Sequence, residues 1–480
     1  MRRTKIVATL GPATDKPGTL EAILVAGVNV VRLNFSHGKA TDHVRRAEAV
    51  REISAKRGLN VAVLADLQGP KIRVGRFKEG AVELVDGRPF ILDAEQDKQS
   101  GDEHSVGIDY EKLPEDCRVG DILLLDDGRI ELTVDRIEGA RIFTTVRLGG
   151  TLSNNKGINR QGGGLSAPCL TDKDKEDIKT VAQIHADFVA VSFPKTPEDL
   201  HQARALLKEL NSSANIIAKL ERAETVSNQE TLDAMIKASD GVMVARGDLG
   251  VEIGDAALIG VQKMIIKRAR QLNRVVIVAT QMMESMIHSP VPTRAEVFDV
   301  ANAVLDATDA VMLSAETASG SNPIDVIQAM SRVCLGAENL PITRTSRHRM
   351  DETFFHTDEA VAMATMYTAN HFPQVKAIVC LTESGNTPLL MSRIRSGLPI
   401  YALSRNVATQ RRTALYRGVE AHYFDYFMLA ADDIKRKAIQ LLKSKGCLHD
   451  GDVIIMTKGS VMGLHGGTNA LLILKVGDEV

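Results

Sequence analysis

The sequence predicts an α/β protein built on a closed (β/α)8 TIM barrel, with an inserted all-β lid domain and a C-terminal open-sheet α/β domain. Three observations predict it. Eight short runs rich in β-branched residues are flanked by amphipathic helical stretches, the count a closed parallel barrel needs. Residues 70–168 interrupt that alternation with hairpin texture. Beyond about residue 340 a polar stretch leads into a second set of strands and helices.

The first three runs are KIVATLGP (5–12), NVVRLNFSHG (29–38) and VAVLADLQG (61–69). The other five are DFVAVSFP (187–194), NIIAKLER (215–222), GVMVARGDLG (241–250), VVIVATQM (275–282) and AVMLSAET (310–317). Near-continuous apolar strands of this kind imply a parallel sheet covered by helices on its face. Helical periodicity stands between them at 17–27, 171–185 and 259–273. In the interruption, Asp-Gly and Glu-Gly pairs separate alternating runs such as AVELVDGRPFILD, which reads as hairpins. After the linker PITRTSRHRMDETFFHTD, a helix at 358–372 precedes strands at 376–382, 399–404, 421–425, 452–459 and 470–476. The expected domains are therefore 1–69 with 169–343 (barrel), 70–168 (lid) and 344–480 (C-terminal domain).

Composition excludes several functions. The chain is 44% hydrophobic and 25% charged, which argues against disorder. A net charge of −2 leaves no basic footprint for nucleic acid, and the absence of Trp weakens any base-stacking role. No stretch approaches the apolar length of a membrane span, and the N-terminal apolar run is too short for a signal sequence. Five scattered cysteines without a C-x-x-C pair fit reduced thiols in a cytoplasmic protein and no structural zinc site.

Barrel enzymes carry their chemistry at the C-terminal ends of the strands. Six of the eight runs end in polar groups here. Arg32, Asn34 and Ser36 are spaced by two and share a side, as do Lys219 and Glu221. Asp66, Arg246-Gly247-Asp248, Thr280-Gln281, and Ser314 with Glu316 complete the ring. A lone Lys-Glu pair at a strand end is an ordinary surface salt bridge. Charge of both signs converging on one mouth would instead cost desolvation energy without a ligand to hold. Glu221 and Asp248 are hard oxygen donors suited to Mg2+, and no His/Cys cluster among the strand ends points to zinc. Arg32 and Lys219 supply charge for an anionic substrate, and GDLGVEI offers backbone N–H groups at a short helix or turn. This set points to phosphoryl transfer or enolate stabilisation. His37 reads equally as a base or as a structural cap, and GGGLSA (162–167) matches a dinucleotide fingerprint only formally, since no strand precedes it. The Met-rich QMMESMIH reads as barrel-to-helix packing.

The segments RLNFSHG, AKLERAET, MVARGDLGVEI, ATQMMESMI with PTRAEVFDVANAV, and DAVMLSAETASG closely resemble the pyruvate kinase family, in the family's order and across essentially the whole chain. The resemblance implies phosphoryl transfer from phosphoenolpyruvate to ADP, giving pyruvate and ATP in the last step of glycolysis, by a homotetramer. It implies that Lys219 stabilises the enolate oxygen, that Arg32 grips the transferring phosphoryl group, and that Thr280 lies near the path of proton delivery. Gly247, Asp248 and Thr280 resemble phosphoenolpyruvate-binding positions, Glu221 and Asp248 resemble Mg2+ ligands, and Asn34, His37, Arg73 and Lys156 match nucleotide-side positions. Asn34, Ser36, Asp66 and Leu67 match K+-ligand positions. Where many members read D-T-K-G-P-E-I-R, however, this chain reads Asp66-Leu67-Gln68-Gly69-Pro70-Lys71-Ile72-Arg73. The Lys71 ammonium is therefore expected to supply the charge of a bound K+. Arg160-Gln161 replaces the usual Leu-Pro at the lid hinge. In the C-terminal domain TESGNTP (382–388) resembles the effector-phosphate loop, with Thr382, Ser384, Asn386 and Thr387 as donors, faced by KGSVMGLHGGTN (458–469). An ordinary polar strand-to-helix turn is the alternative reading of that loop. The alternatives are a Mg2+-dependent enolate lyase or aldolase on the same barrel, and a non-catalytic metabolite-binding scaffold.

Overall fold

The eight apolar runs form eight parallel strands: β1 (Lys5–Thr9), β2 (Val30–Asn34), β3 (Ala62–Asp66), β4 (Phe188–Val191), β5 (Asn215–Leu220), β6 (Gly241–Ala245), β7 (Val275–Ala279) and β8 (Ala310–Leu313). They pair in chain order and close where β1 meets β8, Lys5 opposite Ala310 and Ala8 opposite Leu313. The computed structural model describes residues 1–346, 348–460 and 466–478, and of residues 431 and 432 the backbone alone.

The two-residue period of a strand decides what the mouth contains. Val7, Val30, Leu64, Ala190, Ile217, Met243, Ile277 and Met312 fill the inside of the barrel, while Ile6, Val31, Val63, Val189, Ile216, Val242, Val276 and Val311 pack outward against the helices. The same alternation, continued toward the C-terminal ends, carries Thr9, Arg32, Asp66, Ser192 and Lys219 to the inside. Apolar residues therefore plug the lower barrel and polar ones line its top. Met282, Met283 and Met286 are buried in the outer, helix-facing core, as the packing reading expects.

Between β3 and β4 the chain makes the lid. Its six-stranded sheet runs in the order 158–160, 122–125, 130–138, 141–148, 89–93, 105–107, with a separate pair formed by 81–84 and 150–153. Phe90, Leu92, Leu132, Val134 and Ile142 give it a core of its own, and one turn of helix, Leu113–Asp116, interrupts the β structure. The lid returns to the barrel through Gly162, Gly163 and Gly164, all at positive φ. Contrary to the sequence expectation a short strand, Ile158–Arg160, does precede this stretch, but no helix opens on it, so the fingerprint match is a loop. Gly163 packs against the Glu224 carboxylate so closely that a Cβ would overlap it. At the hinge, Arg160 donates to Asp121 at 2.8 and 3.0 Å and to the Gly163 carbonyl at 2.8 Å. A charged, lid-tethered residue thus stands at the altered hinge position.

The C-terminal domain is a five-stranded sheet in the order Val419–Tyr423, Ile400–Ser404, Val375–Leu381, Val453–Gly459, Thr468–Lys475. Its first four strands are parallel and the last is antiparallel. It docks on the bottom of the barrel, away from the mouth. Lys5, at the start of β1, donates to the Val419 carbonyl at 2.5 Å, and Arg393 pairs with Asp309, which immediately precedes β8.

Candidate active site

Asp66 stands at the centre of the mouth. It is fully buried at the end of β3. Arg32 Nε donates to its Oδ2 at 2.6 Å, and Lys219 Nζ lies 3.3 Å from its Oδ1. Burial alone would push the Asp66 carboxyl up, but Lys219 and Arg32 more than offset it and hold the group below its ordinary value. Lys219 also reaches Glu221 Oε1 at 2.9 Å and donates to Ser192 Oγ at 2.7 Å. Burial pulls the ammonium's pKa down, whereas Asp66 and Glu221 raise it further, so the net shift is upward. Lys219 is therefore a fixed positive charge at every physiological pH.

Glu221 is buried and pushed up, first by desolvation and also by the charge of Asp248, which Lys219 only partly counters. Its Oε2 accepts from the Phe193 backbone N–H at 2.9 Å. Asp248 lies in the first turn of the helix Arg246–Ile253. Its Oδ1 is 3.1 Å from Lys71 Nζ. Two like-charged carboxylates near one another, with hard oxygen donors and one buried, form the set a divalent cation stabilises.

Thr280 adopts φ 70, an unusual conformation for a β-branched residue, and Gln281 follows it at φ 56. The strain is held by Arg246, whose Nη2 donates to the Thr280 carbonyl at 2.5 Å and whose Nη1 grips Asp299 at 2.7 Å. In return Thr280 Oγ1 accepts the Gly247 N–H at 2.9 Å. Strain concentrated beside a cluster of charges is a common mark of a functional site.

Not every expected residue sits where its motif implies. Lys71 pairs with Asp248, and at 3.9 Å with Asp127, rather than with the K+-type group. Three of the four oxygens in that group are already engaged: Asp66 by Arg32 and Lys219, the Leu67 carbonyl by Ser192 Oγ at 2.7 Å, and Asn34 Oδ1 by the Ser36 N–H at 3.1 Å. Glu316 turns away from the mouth and accepts from the Ser314 and Met283 backbones at 2.6 and 3.3 Å, tying the loops after β7 and β8 together. His37 keeps much of its surface in solvent, yet the groups around it partly desolvate the ring, and this, with the charges of Arg73 and Arg32, lowers its pKa, so the ring is neutral near pH 7. On the lid, Lys156 pairs with Asp126 at 2.7 Å and Arg73 donates to the Asn155 carbonyl at 3.0 Å. The motifs missed Thr9 and Ser192. Thr9 Oγ1 accepts from Arg32 Nη1 at 3.1 Å, and Ser192 bridges Lys219 to Leu67. Each directly follows or ends an apolar strand, which is the signal that would have found them.

In the C-terminal domain, Thr382 Oγ1 accepts from the Gly385 N–H at 3.0 Å and Thr387 Oγ1 bonds Thr468 Oγ1 at 2.7 Å, both buried. Ser384 and Asn386 are half-buried, and Asn386 donates to Asp358 at 2.8 Å. Arg412, which no motif indicated, donates to the Ser384 carbonyl at 3.3 Å. Of the facing loop, residues 461–465 lie outside the described residues.

The family profile described as pyruvate kinase, barrel domain, matches residues 1–327, and that of the pyruvate kinase alpha/beta domain matches residues 359–474. The chain belongs to the pyruvate kinase family. It is 59% identical over 478 residues to pyruvate kinase II of Salmonella typhimurium strain LT2, covering 99% of both chains. It is 60% identical over 459 residues to a pyruvate kinase of Haemophilus influenzae strain Rd, covering 96% of each. The crystal structure of a pyruvate kinase from Cryptosporidium parvum superposes with a TM-score of 0.90 at 33% identity, covering 99% of this chain and 96% of that one. The activity is that of a pyruvate kinase, a glycolytic phosphotransferase, with phosphoenolpyruvate and ADP as the implied substrates. The lyase and scaffold readings fall away. Among the described residues, no helix is long and apolar enough to cross a membrane.

Proposed function

We propose that Lys219, Arg32 and Thr280 are the catalytic residues, and that the mouth binds phosphoenolpyruvate through Arg32, Lys219, Gly247, Asp248 and Thr280. The observation that carries the proposal is Lys219: a buried ammonium held between Asp66 and Glu221, its charge kept by both. As the phosphoryl group leaves, negative charge develops on the enolate oxygen, and a preorganised ammonium in a dry site stabilises it without reorganising. Because its pKa is raised, Lys219 keeps its proton. Protonation of the enolate carbon is then assigned to a path near Thr280, whose Oγ1 accepts from the Gly247 N–H and donates to the Ala279 carbonyl. Arg32, anchored through Nε on Asp66, has Nη groups to present to the phosphoryl oxygens. Asn34, His37, Arg73 and Lys156 line the nucleotide side, so that closing the lid would bring Arg73 and Lys156 over ADP and exclude water. The enolate is tested by measuring ADP-dependent pyruvate formation by wild type and Lys219→Met. Loss of kcat with substrate binding retained supports the assignment, and an unchanged kcat ends it.

Glu221 and Asp248 fit Mg2+ by the chemistry of their donors, and the ion would supply charge neutralisation to the transferring phosphoryl group. For K+ the balance differs. The ammonium of Lys71, held on Asp248 at 3.1 Å, already supplies a positive charge to the mouth, so activity is expected to persist in K+-free, Na+-free buffer. A strict K+ requirement would rule this out, and Lys71→Glu is expected to create one.

The C-terminal loop of Thr382, Ser384, Asn386 and Thr387, beside Arg412, suits a small phosphorylated activator acting on a cytoplasmic homotetramer. Addition of AMP or sugar phosphates is expected to lower the phosphoenolpyruvate concentration needed for half-maximal rate, and Ser384→Asp to abolish that response by repelling the phosphate. Equal responses in the two proteins would count against the site.

A further inference from the structure

The strand Val419–Tyr423 is the edge of the C-terminal sheet, and its alternate residues Glu420 and His422 stand on one face. Cys447, in the turn after the helix Ala431–Ser444, comes against them. His422 Nε2 lies 3.3 Å from Glu420 Oε1 and 3.9 Å from Cys447 Sγ, and the three donor atoms all fall within 4.8 Å of one another.

Carboxylate and thiol converge on the same ring nitrogen. A nucleophile–base–acid relay needs them on opposite nitrogens, so these residues are not a catalytic triad. One nitrogen cannot satisfy both by hydrogen bonding either. Three such donor atoms within 4.8 Å of one another are a set that a cation can gather. In a tetrahedral zinc site the bond lengths give ligand-to-ligand edges of ~3.6 Å for sulfur to nitrogen and ~3.4 Å for nitrogen to oxygen. The observed 3.9 Å needs a contraction of a few tenths of an ångström and the observed 3.3 Å a slight lengthening to match.

We propose that Glu420, His422 and Cys447 form a site for a zinc-class transition metal, distinct from the carboxylates of the barrel mouth, with the fourth position left to water. Imidazole and thiolate favour such ions over Mg2+. On binding, the thiol gives its proton to solvent, and the resulting thiolate together with the carboxylate balances a dication. The Tyr401 hydroxyl neighbours Cys447, a partner of the kind that orients metal ligands. Lys445 opposes a cation here, but it is exposed and its charge is screened. Glu420 is 43% exposed against 12% for His422, so the site opens to solvent on the carboxylate side. Sequence spacing gave no sign of it, because a strand and a distant turn supply the ligands. The ion would pin the edge strand to that turn, one residue from the Val419 carbonyl that receives Lys5 of the barrel.

The test uses full-length protein stripped with a chelator and titrated with Co2+ in excess Mg2+. A tetrahedral Co2+ spectrum with a thiolate-to-cobalt charge-transfer band is expected in the wild type, and the band should be absent in Cys447→Ser. The other four cysteines are buried, so the band reports Cys447. His422→Ala and Glu420→Gln should weaken Co2+ binding by about tenfold or more, since loss of a ligand exceeds loss of an outer partner, with pyruvate kinase activity unchanged in all three. A wild type without the band, a band that survives Cys447→Ser, or wild-type affinity in His422→Ala would each overturn the proposal.

Discussion

Replacing Lys219 by methionine is expected to lower kcat by about 10²–10³-fold, the loss seen when one preorganised stabiliser of a developing oxyanion is removed. Methionine keeps the length and apolar stem of lysine, so the change isolates the charge. The effect should fall on kcat more than on the KM for ADP, whose expected contacts lie on the lid side at Arg73 and Lys156. Lys219→Arg should rescue little. A guanidinium fork cannot occupy the space of an ammonium held between Asp66, Glu221 and Ser192 at 3.3, 2.9 and 2.7 Å. Lys219→Met also leaves buried Asp66 and Glu221 without their shared counter-ion, so both carboxyls should titrate higher and the rate should fall further as pH drops. Steady-state rates across pH, with circular dichroism to confirm folding, decide the matter. A kcat close to that of the wild type would remove Lys219 from the chemistry.

The barrel was legible because its signal is local and repeated. An apolar run of four to six residues, eight times over, leaves few architectures, and the parity of each strand then fixes which side chains reach the mouth. That parity is why Arg32, Lys219 and Glu221 could be grouped from sequence, although up to 189 positions separate them in the chain (221 − 32). Partner choice was less legible. Lys71 was expected to supply the charge of a bound K+, but the sequence did not say beside which group; the lid carries it to Asp248, and no spacing rule records how a lid sits on a barrel. Glu316 shows the opposite limit. Its position beside a strand end looks catalytic, yet the unpaired N–H groups of Ser314 and Met283 capture it. The cluster of Glu420, His422 and Cys447 lay wholly beyond sequence patterning, because a sheet edge and a helix end meet there only in three dimensions.

The junction between barrel and C-terminal domain should be the most fragile point of the structure. Arg393 and Asp309 are each 1% exposed at the side chain, and they form a bidentate pair, with Arg393 Nη1 donating to Asp309 Oδ2 at 2.9 Å and Nη2 to Oδ1. Asp309 also accepts the backbone N–H groups of Val276 at 2.9 Å and Arg417 at 3.0 Å, so one carboxylate joins two barrel strands to two segments of the other domain. Its charge is needed because other guanidiniums crowd the same junction. Burial, then Arg393, Arg395 and Arg417, lower the Arg270 pKa to about 9. Asp309→Asn keeps much of the shape but removes the negative charge, leaving Arg393 buried and uncompensated at a cost of about 3–5 kcal/mol. Arg393→Met should cost a similar amount by stranding Asp309. The double variant should lose far less than the sum, because a buried pair contributes little net stability once both charges are gone. Denaturant unfolding of the two single variants and the double variant measures this coupling. Strictly additive losses would show that the pair does not act as a unit, whereas negligible losses in all three would leave the apolar contact continuing from the barrel interior through Met366, Leu415 and Tyr416 to hold the domains together.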